Sequence, residues 1–587
     1  MSGGEGDTGG DKTVSFAAEE EKWKESAKVL QQKLSMLQKQ HELQSVSNSL
    51  SFPKPVRRLV FWTRPKQRQR WGDVDSHPKL NWGDLFFDLF YVAAALNLSY
   101  VLFYSPSAEG FLYFTGLFGP ILLEWFQRTF FDARFVWDED PFHKMFEVLH
   151  LVALASAVVH IRPVSKMSDP TNREMFDFSL AVIGLALLNM YRSIEVMLTV
   201  DGEDAARRGE RRQLIDYFIQ LAFYVAAAVK SGISYVGSTS ADETTDYGNR
   251  GLESLTNACS RMLNLAPERD LAAEVDVEKD HIPIILCVCG WSIPVVLFLF
   301  RSFFLEKKFG WHKKYNVPKN IEFLIHRYGE LVMLLLGESV LSILIVPSIN
   351  TPEYHVTFYA AIVSIVLLQY CHYKYQPHSP REHACRRSLR GGVTHYALMI
   401  VYCHALVVVG TAYKMFLTTY EVEDSLKNKD LRHLVTTLMS RNLAGAADKT
   451  KFTTFEHKVA VADMFCISMA IVWLCLELMW ISHVGRAKYW AFLKTKPGVF
   501  CDVLRTIGLF LMGTISFYTI EPEWVTLIAL LGICFEIVTT VITDYFWHKQ
   551  FGDFEDDDDG HDDEHWPNVT EPDSVPNEHV DEHDDQA

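Results

Sequence analysis

Apolar stretches near the ~20 residues needed to cross a bilayer recur along most of the chain, each bounded by charged or turn-forming positions. Twelve such segments are read. The first six cover residues 83–105, 109–132, 141–163, 176–199, 213–236 and 282–305. The second six cover 322–347, 354–376, 393–418, 458–483, 497–519 and 523–546. The clearest runs from Ile282 to Phe300 without a charge, and Trp524 to Thr543 is interrupted only by Glu536. The second and eleventh are weakest, because charges intrude at their ends. The pattern predicts an all-α fold, a polytopic transmembrane helix bundle of about 12 spans.

Loop charge gives an independent reading of topology. Lys and Arg gather in the loops after the fourth, sixth, eighth and tenth segments, as at Arg207, Lys313, Arg386 and Lys488. The tight turns 106–108, 348–353 and 520–522 hold no Lys or Arg. Under the positive-inside rule this alternation places both termini in the cytoplasm and favours an even number of spans. The expected organisation is a polar and basic cytoplasmic region (1–80), two six-helix halves (81–306 and 307–547) and an acidic cytoplasmic tail (548–587). Residues 237–280 and 419–457 read as external loops. No signal peptide is expected, since residues 1–50 are polar and charged. A polar helix is predicted over 17–47, with Trp23, Leu30 and Leu37 at heptad spacing.

Composition alters this picture little. Hydrophobic residues are 49% of the chain and aromatic residues 13%, in keeping with lipid-facing surfaces and interfacial belts. The net charge of -17 comes almost wholly from the tail, where Asp553 to Ala587 contain 16 Asp and Glu and no Lys or Arg. The remainder is near neutral, which excludes nucleic-acid binding through bulk charge. The tail reads as disordered.

Two stretches carry a family resemblance. Gly83 to Leu96, GDLFFDLFYVAAAL, and His326 to Leu341, HRYGELVMLLLGESVL, resemble the two characteristic helices of the low temperature requirement A (LtrA) family of polytopic membrane proteins. The resemblance covers roughly Trp82 to Trp547 as a helical layout and implies no agreed substrate or reaction. The family usually opens with Glu where this chain has Asp84.

Internal matches point to two copies of one unit. Trp82-Gly-Asp-Leu85 is echoed by Tyr328-Gly-Glu-Leu331, Leu123-Glu-Trp125 by Leu368-Gln-Tyr370, and Leu149-His-Leu151 by Cys403-His-Ala405. With six spans per half, the copies would share one orientation, a 6+6 parallel repeat.

Ionisable residues inside the spans carry the functional case, because charge at that depth is costly. Asp84 and Asp88 share one helix face. Asp84 fits a helix cap with Asn81, and it also fits a polar path. Asp88 lies about 6 Å deeper and reads either as part of such a path or as half of a structural pair. Arg327, Glu330, Leu334, Gly337, Glu338 and Ser342 fall along one side of the seventh span. Glu338 is near mid-span, where a neutral or partner-bound carboxylate is expected, and Gly337 beside it would admit a close backbone or an ion. The other reading of Glu338 is a buried hydrogen bond joining helices. His150, with Glu147 close by, and His404 are candidate proton relays or packing residues.

Other charges read as structural ion pairs: Glu124, Arg128 and Asp132 in sequence, Arg192 with Glu195, and Asp502 with Arg505. Asp84, Asp88, Glu124, Arg128, Glu147, Arg192, Arg301 and Glu330 all fall in the cytoplasmic half by the assigned topology. Both an inward-facing vestibule and simple anchoring at the inner interface account for that.

No cofactor or metal is expected. The nearest approaches to a metal site are His372, His378, His383 and Cys385, and the tail histidines His561, His565, His579 and His583. Motifs of soluble enzymes are missing, so an enzyme is not expected. The leading reading is an ion or small-solute transporter, proton-coupled through intramembrane carboxylates. The alternatives are a non-transporting sensor or scaffold, recruiting cytoplasmic partners through loops and tail, and an ion channel. The plasma membrane is the default location.

Overall fold

A computed structural model describes residues 61–68, 82–136, 140–200, 204–243, 279–305, 317–377, 382–427 and 455–551. The helix expected over 17–47, the acidic tail, most of the two external loops, Asn81 and the side chain of Asp84 lie outside the described residues. Fifteen α-helices are described. The first seven are α1 (Trp82–Tyr104), α2 (Ala108–Asp132), α3 (Pro141–Val159), α4 (Val164–Met167), α5 (Glu174–Thr199), α6 (Asp204–Glu243) and α7 (Ile282–Phe300). After these come α8 (Ile321–Leu344), α9 (Pro352–Tyr375), α10 (Ala384–Arg387) and α11 (Leu389–Lys427). The last four are α12 (Phe455–Val484), α13 (Arg486–Leu493), α14 (Lys496–Thr514) and α15 (Pro522–Phe551).

Local chemistry sets several of the starts. Ser107, Asn320, Thr351 and Thr495 cap α2, α8, α9 and α14 by accepting an amide hydrogen bond from the first turn. Pro352 and Pro497 follow two of these caps, where a missing N–H costs nothing.

All helices except α4, α10 and α13 have 19 residues or more, and these long helices fall on the twelve predicted segments. Ten are long and apolar enough to cross a membrane. The protein is an all-α, multi-span membrane bundle. The two long helices outside that ten are α2 and α8, which carry the buried ionisable residues Glu124, Arg128, Arg327 and Glu338. In α2, 17 of 25 residues are buried, so its neighbours rather than lipid solvate its polar groups. Large apolar residues such as Phe86, Val152, Leu180, Phe510 and Val538 instead face outward, as a lipid-exposed rim requires.

The described residues sort into two units. In the small one, the Thr63 amide donates to Asp140 Oδ2 at 3.0 Å, and the Phe61 and Phe142 rings meet edge-on. The large one holds the bundle, together with a two-residue antiparallel pairing of β1 (Lys66–Gln67) and β2 (Phe135–Val136).

Neighbour relations within the bundle recur six long helices apart. Helix α1 packs on α2 as α8 packs on α9, and α2 lies against α7 as α9 lies against α15. Likewise α5–α6 corresponds to α12–α14, α6–α7 to α14–α15, and α2–α5 to α9–α12. Helix α11 is the most enclosed of the candidate spans and touches α1, α2, α7, α8, α9 and α12.

Close helix contact is bought at glycines, though not at the one expected. A Cβ added to Gly337 would meet nothing within 4 Å, because Gly337 faces out of the bundle. The tight crossing is at Gly410 in α11, where an added Cβ would lie 2.2 Å from Ser339 Oγ and 3.1 Å from Ser339 Cα in α8. Gly410→Ala should therefore destabilise the protein by on the order of 1–3 kcal/mol through overpacking, with Gly337→Ala near neutral. Thermal melting in detergent checks this, and adding Ser339→Gly should recover much of the Gly410→Ala loss.

Candidate functional site

Where α8 and α11 pack against α1, two buried ionisable groups do not meet. Glu338 in α8 is fully buried; its Oε1 accepts a 2.6 Å hydrogen bond from Ser342, one turn on, and its Oε2 has no partner. Lys414 in α11 is also buried, and its ammonium has no hydrogen-bond partner. It sits 3.9 Å over the Tyr100 ring and 5.5 Å from the Phe103 ring, both in α1. The two charges feel one another without ion-pair contact. A carboxylate oxygen and an ammonium, both buried and without a hydrogen-bond partner among the described residues, make a polar site beside the most enclosed of the candidate spans. Lys414 escaped the sequence reading, although a lone lysine in the long apolar run of α11 was its visible signal.

Asp88, also fully buried, ties α1 to α8. Arg327 clamps it with two hydrogen bonds, Nη1 to Oδ2 at 2.8 Å and Nη2 to Oδ1 at 2.9 Å. Trp125 Nε1 adds a third at 3.0 Å. Arg327 Nη1 also reaches Glu330 at 2.6 Å, and Glu330 in turn lies 3.1 Å from His326. Asp88 thus has its acceptors filled by a planar donor fork and an indole, the geometry of a helix-to-helix clamp.

The first half holds a separate polar layer. His150 Nε2 lies 2.7 Å from Glu124 Oε1, while Asn189 donates to Glu124 Oε2 at 2.5 Å. Glu147 does not join them: it pairs with Lys144 at 3.1 Å near the surface, since α3 turns His150 inward and Glu147 outward. Arg128 lies 3.6 Å from Asp132 and 3.7 Å over the Phe87 ring, so the expected chain of three is split, with Glu124 given to His150. Glu195 faces His143 at 3.0 Å, and Arg192 lies near the rings of Phe131 and Phe146. His404 is not in a polar path. Its Nδ1 donates to the Ile400 carbonyl, and Phe114, Phe118 and Trp291 surround the ring. In the second half Asp502 accepts from the Tyr489 hydroxyl at 2.6 Å, and Arg505 turns instead to Glu477 at 2.8 Å.

Three buried imidazoles, His383, His395 and His483, have ring nitrogens within 4.8 Å of one another and are the residues best placed to hold a metal ion. Of the expected set only His383 is among them, and His378 lies outside the described residues. His395 lies early in the next helix, α11, and His483 comes from the end of α12, which no spacing rule could have paired with them. Tautomers work against a metal here. The amides of Cys385 and Ala384 donate to Nδ1 of His383 and of His483, at 3.2 and 3.0 Å, which leaves each neutral ring protonated at Nε2.

Burial lowers the His383 imidazole from 6.5 to about 4. The unfolded chain therefore takes up this proton at a higher pH than the folded one. This ring's contribution to stability is complete above pH ~6.5 and falls as pH drops towards ~4, by about 3 kcal/mol. Melting curves across that interval should show the slope, and His383→Asn, which can still cap α10, should lessen it by this ring's share.

A family model described as bacterial low temperature requirement A protein (LtrA) matches residues 79–440. No curated protein matches the chain, and no solved structure does.

Proposed function

The chain belongs to the LtrA family, and from that premise we propose that it is a transporter of an ion or small solute, coupled to protons at Glu338. The observation that carries the reading is the pair of buried ionisable groups where α8 and α11 pack against α1. Glu338 Oε2 and Lys414 Nζ are buried without hydrogen-bond partners, within electrostatic reach but out of contact. A proton or cation arriving at Glu338 changes the charge facing Lys414, and α8 and α11 respond at the tight Gly410–Ser339 crossing. Such a group resting at a helix interface is what an alternating-access mechanism requires.

The matching neighbour pairs in the two halves support a parallel six-plus-six repeat, and all twelve long helices are read as spans. Asp88 serves in this reading as the hinge clamp rather than the carrier. The protein performs no covalent chemistry, and the plasma membrane is its proposed location.

The experiment is flux by purified protein in liposomes under imposed proton, sodium and potassium gradients, followed with pH- and ion-sensitive dyes. A gradient-dependent flux above protein-free liposomes is expected. Silence under all three gradients would remove ion coupling and leave a sensor or scaffold.

A further inference from the structure

A second carboxyl site, unrelated to the Glu338 junction, lies between four helices of the second half. Tyr375 ends α9, Glu477 is in α12, Arg505 in α14, and Glu536 and Thr540 in α15. The Tyr375 hydroxyl contacts Glu477 Oε1 at 2.9 Å, Thr540 Oγ1 at 2.8 Å, and Glu536 Oε1. Arg505 reaches Glu477 at 2.8 Å, Thr540 at 3.2 Å and Glu536 at 3.9 Å. Glu536 and Arg505 are buried, and the Glu477 side chain is 20% exposed.

Counting hydrogens decides the charge state. The Tyr375 oxygen has three oxygen neighbours and one hydrogen of its own, which goes to one of them. Thr540 can supply a second hydrogen by donating to Tyr375. The third contact is oxygen against oxygen unless a carboxyl group brings a hydrogen to it. Formal charge gives the same answer: two carboxylates against one guanidinium leave a buried net negative charge, which a single proton removes.

We propose that Glu477 and Glu536 together bind one proton, handed between them through the Tyr375 hydroxyl, with Arg505 balancing whichever acid is ionised. The ligand is the proton itself. Among the described residues, the surrounding groups supply no second counter-charge. On α9 and α15, Lys374 and Asp544 pair with each other at 2.7 Å, and Cys371 and Cys534 are free cysteines. On α13 and α14, Tyr489 donates to Asp502.

The test is infrared difference spectroscopy of the full-length protein in lipid, in water and deuterium oxide at neutral pH, comparing wild type with E477Q and E536Q. Each variant should lose the carbonyl band of one protonated carboxylic acid and keep the same number of ionised carboxylates, because the remaining acid takes Arg505. Loss of a carboxylate band from either variant would overturn the shared proton. Glutamine copies a neutral acid, so each single variant should melt near the wild-type temperature. The double variant strands Arg505 and should melt well below it. Single variants as unstable as the double would also overturn the proposal. Tyr375→Phe keeps both acids and Arg505, and should shift the acid band without removing it; an unshifted band would overturn the hydroxyl bridge.

Discussion

Arg327→Ala is expected to cost about 3–5 kcal/mol of stability, because it strips a buried carboxylate of its counter-charge. Asp88 is fully buried, and two of its three hydrogen bonds come from Arg327. Trp125 alone cannot hold an ionised Asp88 in that setting. The reverse substitution, Asp88→Asn, should cost less, since Arg327 keeps Glu330 at 2.6 Å and the asparagine still offers an acceptor to Trp125. Removing both partners as Asp88→Leu with Arg327→Met should recover a large part of the single loss, because an apolar pair leaves no stranded charge. Melting temperature and monodispersity in detergent measure all three. Equal losses in Arg327→Ala and in the double variant would mean that the clamp is not what holds α1 to α8. If Asp88 were instead a carrier, Asp88→Asn would abolish flux from protein that melts normally.

What could be read in the sequence divides along a physical line. Span positions are properties of local composition, so the helices from Trp82–Tyr104 to Pro522–Phe551 fall where the apolar runs are. The importance of Asp88, Arg327 and Glu338 was also legible, since a charge in an apolar run is anomalous whatever its partner. The partners themselves were not. Within a helix, spacing suggested Arg192–Glu195 and Asp502–Arg505, but Glu195 faces His143 and Arg505 faces Glu477, across helix crossings that no local pattern encodes. Gly337 drew attention because it adjoins Glu338, yet a helix turns by about 100° per residue, which puts neighbours on different faces. The His383–His395–His483 cluster was missed for the same reason: each residue is ordinary alone and acquires meaning only through what another helix brings to it, whereas Lys414, a lone charge in an apolar run, carried the same visible signal as Glu338.

Glu338→Gln should reduce gradient-driven flux by about tenfold or more, the effect of raising the barrier of the coupled step by roughly 1.4 kcal/mol or more, while leaving the fold intact. The amide keeps the Ser342 hydroxyl as a partner and fills the same space, so packing of α8 on α11 is preserved. It cannot take up or release a proton, so the charge opposite Lys414 becomes fixed. Lys414→Met tests the same junction from the other side. Without the ammonium, a proton arriving at Glu338 has no opposing charge on Lys414 to act on, so gradient-driven flux should fall in protein that melts near the wild-type temperature. The double variant should be folded and inactive. A scaffold makes a different prediction, in which both single variants lose stability in step because the pair serves only to hold helices together. Normal melting with lost flux in Glu338→Gln would place the carboxyl on the transport path. Normal flux in the same well-folded variant would move the coupling elsewhere in the bundle.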